Sequence, residues 1–435
     1  MSKIVQQNTK AVTWIARYSD SPLYVRIVFA MLIGIIVGLA MGANAANLEI
    51  ISKVILRLLG ALAPLLILIA VIHALMTSDI PAKSAGRLAG LLLLNTTVAI
   101  LIGLTVANVL KPGTWSNLPQ EPTVAHREQE RAPNPVELLV NNVPRSFLGP
   151  LGDQQNVIGV IMIAVALGIA LRRSSDRPIA TFRDLVEVAY DAMLVVLHWL
   201  IALVPLGVLC IVASVVGVQG FGPFKAMAAF VFTVIVALLL QTVWYLVRIR
   251  LFSWAPPLHV LRGMRDALVM AFSTDSSTAT MPVTYACLRE NVGLRERSAS
   301  LGGLVGANFN NDGTALYEAT AALFIAQLLG IDLNLYQQLL VVLTSIVASV
   351  GAAGIPEAGL VTMTLVFTAV GLPPEKIALL LTVDWFLDRC RTTINVLGDV
   401  NVSCILDGMT PENPDILKRP PKSPPTVESR VRSIS

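Results

Sequence analysis

Charge is what this sequence has least of. Asp, Glu, Lys and Arg make up 14% of its 435 residues, against 55% that are hydrophobic. A soluble domain carries roughly 25% charged residues, so an ordinary soluble globular fold is excluded. The mean hydropathy of +0.71 and long apolar runs instead indicate a polytopic membrane protein, all-α in class. Cysteine is nearly absent. Cys210, Cys287, Cys390 and Cys404 lie in apolar segments without metal or disulfide spacing, and read as buried thiols. Histidine is equally sparse: His73 reads as a packing residue, and His126, His198 and His259 do not read as ligands. No Gly-x-Gly-Asp element occurs, which argues against an intramembrane aspartyl protease, the remote enzyme alternative. The first apolar run, about 23–44, is too long for a cleaved signal peptide and lacks a small-residue cleavage site. The net charge of +4 and pI near 8.9 are assigned to cytoplasmic Lys and Arg, with no nucleic-acid partner.

Hydrophobic runs fall at about 23–44, 50–76, 87–110, 155–171, 184–216 and 222–249. Lys3, Lys10 and Arg17 precede the first. Lys83, Arg87, Arg172, Arg173, Arg177 and Arg183 fill alternate turns, and Arg248, Arg250, Arg262 and Arg265 follow the sixth. By the positive-inside rule this gives six spans, with the N-terminal arm (1–22) in the cytoplasm. Residues 111–154 form an external loop rich in Pro and Asn. Residues 266–288 are flanked by Arg on both sides and have a polar centre, which predicts a re-entrant hairpin. A seventh span, 298–329, is interrupted at Asn308–Thr314. No Lys or Arg occurs between Arg297 and Lys376, so 335–371, folded about Gly351–Gly359, reads as a second hairpin entering from outside. An eighth span, about 375–409, returns to Lys418, Arg419 and Lys422 inside, and the tail 411–435 reads as disordered and cytoplasmic. The expectation is eight transmembrane helices plus two re-entrant hairpins, arranged as inverted repeats in a plasma (cell inner) membrane.

The last span carries the most information. Asp384, Asp388, Arg389, Arg391 and Asp399 sit in an otherwise apolar run. Facing lipid, five such residues would cost roughly 12–17 kcal/mol on an insertion scale, so they must face protein or water. At about 100° per residue, with Asp384 as zero, Asp388, Arg391, Thr392, Asn395 and Asp399 fall within a stripe about 100° wide, and Arg389 lies off it. Acids for an ammonium, a guanidinium for a carboxylate and spare oxygens for a cation would suit a zwitterionic acidic ligand. The alternative is an internal salt-bridge ladder with no ligand.

Other candidates flank this stripe. Asn310-Asn311-Asp312-Gly313-Thr314 frees backbone carbonyls beside an acid, as an all-oxygen cation cage requires, and the alternative is a glycine kink with a capping Asp. The Ser276-Ser277-Thr278 tip can offer hydroxyls and amides to an anion. The Gly351–Gly359 tip can offer carbonyls, and either tip alone could be ordinary loop chemistry. Glu318, if unpaired in the seventh span, could carry a proton; otherwise it would pair with an Arg.

These motifs resemble the dicarboxylate/amino acid:cation symporters, the group that holds the excitatory amino acid transporters and the archaeal aspartate transporters. The resemblance covers essentially all spans and is strongest over 270–405. It rests on the serine-rich tip ending in Pro282, Asn310-x-Asp312-Gly313-Thr314, Gly354-Ile-Pro-x-Ala-Gly359 and Asp388-x-x-Arg391-Thr392-x-x-Asn395-x-x-x-Asp399. It implies a transporter, not an enzyme, that takes up glutamate or aspartate with sodium. Asp388 would hold the substrate ammonium and Arg391 its side-chain carboxylate. Thr392, Thr314 and Gly359 would lie near the side chain, with Asn395, Ser277 and Thr278 at the main-chain carboxylate. Asn310, Asp312, Asp399, Gly306 and Asn395 would form sodium sites. Ser349, Val350 and Ala352 would complete one under the second tip, and Asn95 and Thr96 would add a further one. Glu318 and Arg389 match the proton-coupled, potassium-returning branch, so H+ and K+ join Na+ as possible coupled ions. Asn308, Asn311, Asp275 and Glu357 depart from the family pattern. The resemblance further implies a homotrimer in lipid. Scaffold spans (23–76, 155–217) would anchor it, and a transport unit (77–110, 218–410) would slide as an elevator. A proton-coupled dicarboxylate or neutral amino acid transporter of the same family, and an anion channel, are the alternatives.

Overall fold

The computed structural model describes residues 23–55, 82–115, 180–351 and 358–412, with isolated positions between 58 and 76 and between 160 and 167. All regular structure among the described residues is helical. The longer helices are α1 (Leu23–Met41), α2 (Ala82–Leu110), α3 (Ala180–Ile201), α4 (Val204–Gln219), α5 (Gly222–Phe252), α6 (Arg265–Thr274) and α7 (Ser277–Ala286). They continue with α8 (Asp312–Leu328), α9 (Leu335–Gly351), α10 (Ala358–Ala369) and α11 (Ile377–Asp407). Stretches at Val25–Ile55, Gly86–Trp115, Asp184–Gln219 and Gly222–Phe252 are long and apolar enough to cross a membrane. Most of the second expected span, the fourth span, both chain ends, the external loop and the second tip (Ala352 and Glu357 included) lie outside the described residues.

The expected run at 184–216 is not one helix. It breaks at Ala202–Leu203, because Pro205 at the start of α4 cannot donate back into a continuing helix. At 265–286 two short helices, α6 and α7, pack on each other across a two-residue turn. Asp275 turns the chain in the left-handed region (φ 58°), and Ser276 caps α7 by accepting from the Ala279 N–H at 3.1 Å. Pro282 inside α7 is followed by a widened π turn over Cys287–Val292. A second π turn, Leu301–Val305, leads into the short helix Gly306–Phe309. Asn310 is then extended (φ −101°, ψ 95°), and α8 restarts at Asp312. The second pair, α9 and α10, also pack together.

Small residues set how closely these helices approach. Gly34 and Gly38 form a Gly-x-x-x-Gly face on α1 against α4. A Cβ at either would come within 2.7 Å of the Leu209 carbonyl or 2.6 Å of the Ala213 carbonyl. Gly103 and Gly113 do the same for α2 and its extension against α8, at the Leu316 and Phe324 carbonyls. Every side chain from Asp312 to Ala326 is buried, so α8 is an axial helix wrapped by α2, α5, α9 and α11. By contrast α1 exposes Phe29, Leu32, Ile36 and Leu39, and α5 exposes Phe232, Leu239 and Leu251, as lipid-facing surfaces do. Cys210, Cys287 and Cys404 are buried. Cys390 is only half buried, which corrects the reading of four buried thiols: it lies off the polar stripe, beside Arg389.

Candidate functional site

Helix α11 places Asp384, Asp388, Arg391, Thr392, Asn395 and Asp399 on one buried face. Arg389, off that face, is half buried and caps the C-terminus of α6. Its Nη1 donates at 2.8 Å to the carbonyls of both Phe272 and Ser273. The first tip bends back over the same face. Thr392 Oγ1 donates to Asp275 Oδ1 at 3.2 Å, and Ser277 Oγ to the Ala307 carbonyl at 3.2 Å. Thr278 is half buried beside them.

Arg391 is fully buried. Nη1 donates to Asp384 Oδ1 at 2.7 Å, Nε donates to Asp388 Oδ1 at 3.1 Å, and Nη2 reaches the same Asp388 oxygen. The guanidinium lies 3.9 Å over the Tyr317 ring. The internal salt-bridge ladder, the alternative reading of this stripe, is therefore present. At i, i+3 on one face, desolvated charges of opposite sign satisfy each other. Gly359 of α10 packs directly against it, and only a residue without a side chain fits so close. A Cβ there would lie 3.2 Å from Thr314 Cγ2 and 3.4 Å from Arg391 Nη2.

A turn further along, α11 stitches the broken helix. Asn310 Nδ2 donates at 3.0 Å to both the Asn395 carbonyl and Asp399 Oδ1. The Gly313 N–H donates to Asn395 Oδ1 at 2.8 Å. Asn395 Nδ2 reaches Asn311 Oδ1 at 3.3 Å and Thr314 Oγ1 at 3.4 Å. Gly306 lies so close that a Cβ on it would sit 2.7 Å from Asp399 Oδ1. Gly398 similarly admits Asn310, Tyr245 and Asp312. Asn310 Oδ1 and Asp399 Oδ2 are buried without a hydrogen-bond partner. Buried acceptors are normally satisfied. Carboxylate, amide and carbonyl oxygens converging here are the donor set of a hard cation.

The remaining predicted residues divide. Asn311 Nδ2 donates to the Ser349 carbonyl at 2.9 Å, tying α9 to the break, and Val350 follows in the last turn of α9. Thr96 of α2 donates to Asp312 Oδ1 at 2.7 Å, and Asn95 beside it accepts from Arg248. Glu318 is fully buried and accepts from Thr362 of α10, while its Oε2 has no partner, so the expected alternative of an Arg pair is not formed. Sequence reasoning missed Tyr317, Tyr245, Arg248, Gln241 and Asn401. Tyr245 donates to Asp312 Oδ2, and Asn401 Nδ2 to the Tyr245 carbonyl at 2.9 Å. Gln241, Tyr245 and Arg248 recur at i, i+4 and i+7, a polar stripe that helical periodicity could have revealed.

Residues 23–409 match the model of the sodium:dicarboxylate symporter family. Excitatory amino acid transporter 1 of Mus musculus is 41% identical over 249 residues, 56% of this chain and 45% of that protein. Excitatory amino acid transporter 3 of Homo sapiens is 35% identical over 285 residues, 65% of this chain and 54% of that protein. The Bos taurus excitatory amino acid transporter 3 is 29% identical over 450 aligned positions, 90% of this chain and 86% of that protein. The chain thus matches about half the length of the first two of these relatives. With the family model spanning the broken helix and the charged last helix, the chain belongs to the sodium:dicarboxylate symporter family.

Proposed function

We propose that this protein is a secondary symporter that carries an acidic amino acid, glutamate or aspartate, across the membrane together with sodium. The observation that carries this reading is Arg391, fully buried between Asp384 and Asp388 at the side of the broken helix. The Asp388–Arg391 pair has the complementary charges of a zwitterion. An entering substrate exchanges partners with it: its side-chain carboxylate takes the place of Asp388 on the guanidinium, and Asp388 turns to the substrate ammonium. The exchange keeps both protein charges paired, so neither residue is left bare in a low-dielectric site. A substrate with only one pole completes half of it. Thr314, Gly359 and Thr392 then line the side chain, with Asn395, Ser277 and Thr278 at the main-chain carboxylate.

Sodium ions would take the unpartnered Asn310 and Asp399 oxygens, together with the carbonyls of Gly306 and Asn395. A further one under the second tip would draw on Ser349, Val350 and Ala352. Proton co-transport and potassium return are assigned to Glu318, with Arg389 supporting. The Thr362 bond to Glu318 links that acid to α10, the arm that would open and close. The reading extends to a trimer with spans one, two, four and five as scaffold and an elevator motion of the remainder. Uptake of radiolabelled glutamate and aspartate into proteoliposomes under an inward sodium gradient tests it. Saturable, sodium-dependent accumulation is expected, and its absence for both substrates refutes the assignment.

A further inference from the structure

Helix α5 contributes a buried cation that the transport reading does not use. Arg248 is 4% exposed, in a helix that exposes Val243, Val247 and Leu251 on another face. Its Nη1 donates to Asn95 Oδ1, and the guanidinium lies 5.8 Å from the centre of the Trp244 ring. One hydrogen bond and one ring are little for a group with five N–H donors. A buried charge requires a compensating one, and Asp312 is the carboxylate to which the surrounding hydrogen bonds connect Arg248. The two are joined through neighbours. Asn95 holds Arg248, and the adjacent Thr96 donates to Asp312 Oδ1 at 2.7 Å. Tyr245, one turn before Arg248, donates to Asp312 Oδ2. Asn95 is held from the other side by Asn401 at 3.4 Å, donating from its own Nδ2.

This arrangement conflicts with the placement of a transported cation on Asn95, Thr96 and Asp312. Both oxygens of Asp312 already accept a hydroxyl proton, and the Asn95 side-chain oxygen is occupied by the guanidinium. A sodium ion there would have to displace these donors and sit beside a fixed positive charge in a low-dielectric interior. Neither oxygen of Asp312 is unpartnered; the unpartnered oxygens around it belong to Asn310, Asp399 and Gln241.

We propose that Arg248 is a tethered counter-cation to Asp312: it occupies from within the protein the electrostatic position that a cotransported sodium would otherwise fill, and so lowers by one the cations carried with each substrate. This rests on the symport reading. It assigns to Arg248 a role in setting ion stoichiometry, and to Thr96 and Tyr245 the task of holding Asp312 in the arrangement that the arginine neutralises.

The test measures radioactive sodium and substrate influx together in proteoliposomes containing wild type, Arg248→Lys or Arg248→Gln. Removing the fixed charge frees the locus, so Arg248→Gln should raise the sodium-to-substrate ratio by about one and steepen the sodium dependence. Arg248→Lys, which keeps the charge, should retain the wild-type ratio. An Arg248→Gln protein that transports at the wild-type ratio overturns the proposal. A second measurement covers the case in which Arg248→Gln is inactive. Thermal unfolding of purified Asp312→Asn, Arg248→Gln and the double variant should show the double variant more stable than Asp312→Asn alone, because the lone buried guanidinium is gone. Additive losses overturn the proposal. Absence of sodium-driven uptake by wild type would instead refute the symport reading, so the two failures are distinguishable.

Discussion

Replacing Arg391 by Cys separates the two poles of the proposed substrate. The substitution removes the guanidinium bonds to Asp384 and Asp388 and the face-on contact with Tyr317. A hydrogen bond to a charged group contributes about 1.5–3 kcal/mol. A ligand carboxylate gripped by both arms of the guanidinium therefore loses about 3 kcal/mol or more in the variant. At 1.4 kcal/mol per factor of ten, kcat/KM for glutamate and aspartate should fall at least about 100-fold. A small neutral amino acid such as serine presents no side-chain carboxylate and still meets Asp388 through its ammonium, so its uptake should persist within about threefold, a change of under 1 kcal/mol. The cost to stability is separate: breaking a buried pair from one side costs about 3–5 kcal/mol, which should appear as an earlier thermal transition of the purified protein. The assay is sodium-driven uptake of each labelled amino acid into proteoliposomes containing equal amounts of monodisperse protein. Unchanged glutamate uptake refutes the role of Arg391. Equal loss of acidic and neutral uptake by a monodisperse protein refutes the assignment of separate poles.

Other substitutions probe other parts of the molecule. Asp399→Asn trades a carboxylate at the orphaned oxygens for an amide, and should raise the sodium concentration for half-maximal uptake about tenfold or more; an unshifted sodium titration excludes Asp399 from ion binding. Glu318→Gln keeps the shape of the acid beside Thr362 but cannot carry a proton, so an outward potassium gradient and an inward proton gradient should no longer stimulate uptake. Stimulation equal to wild type would remove Glu318 from coupling. Gly38→Ala places a methyl 2.6 Å from the Ala213 carbonyl and must push α1 off α4. It should destabilise by about 1–3 kcal/mol, whereas Gly86→Ala, with nothing within 4 Å of the new methyl, should not; matching melting profiles for both would contradict the close packing.

The parts of the fold that the sequence displayed are those where chemistry and periodicity conflict with a membrane. Acids and arginine in α11, the polar first tip and an Asn-Asn-Asp-Gly run each have to be explained, and each proved to be buried or to break a helix. What could not be read was pairing. Periodicity places Asp384, Asp388 and Arg391 on one face but does not say that they satisfy each other before a ligand does. Nor does it say that Asn311 reaches the Ser349 carbonyl, 38 residues on. Arg248 was passed over because an arginine near the end of a span reads as a topology signal. Only the packing of α5 against α2 turned it inward to Asn95. The break between α3 and α4 was masked by hydrophobicity, although Pro205 marked it.

The interruption at Asn310 and Asn311 has a consequence for biogenesis. The gap between Phe309 and Asp312 is closed by Asn395, which serves the Gly313 amide and accepts Asn310 at its own carbonyl. Until that residue has left the ribosome, the Gly313 amide and the Asn310 side chain lack these partners, which lipid cannot supply. Insertion of this segment is therefore provisional: it must wait in the translocon or in a hydrated vestibule for its last neighbour, and a chain stalled before residue 395 should be a substrate for membrane quality control rather than a stable intermediate.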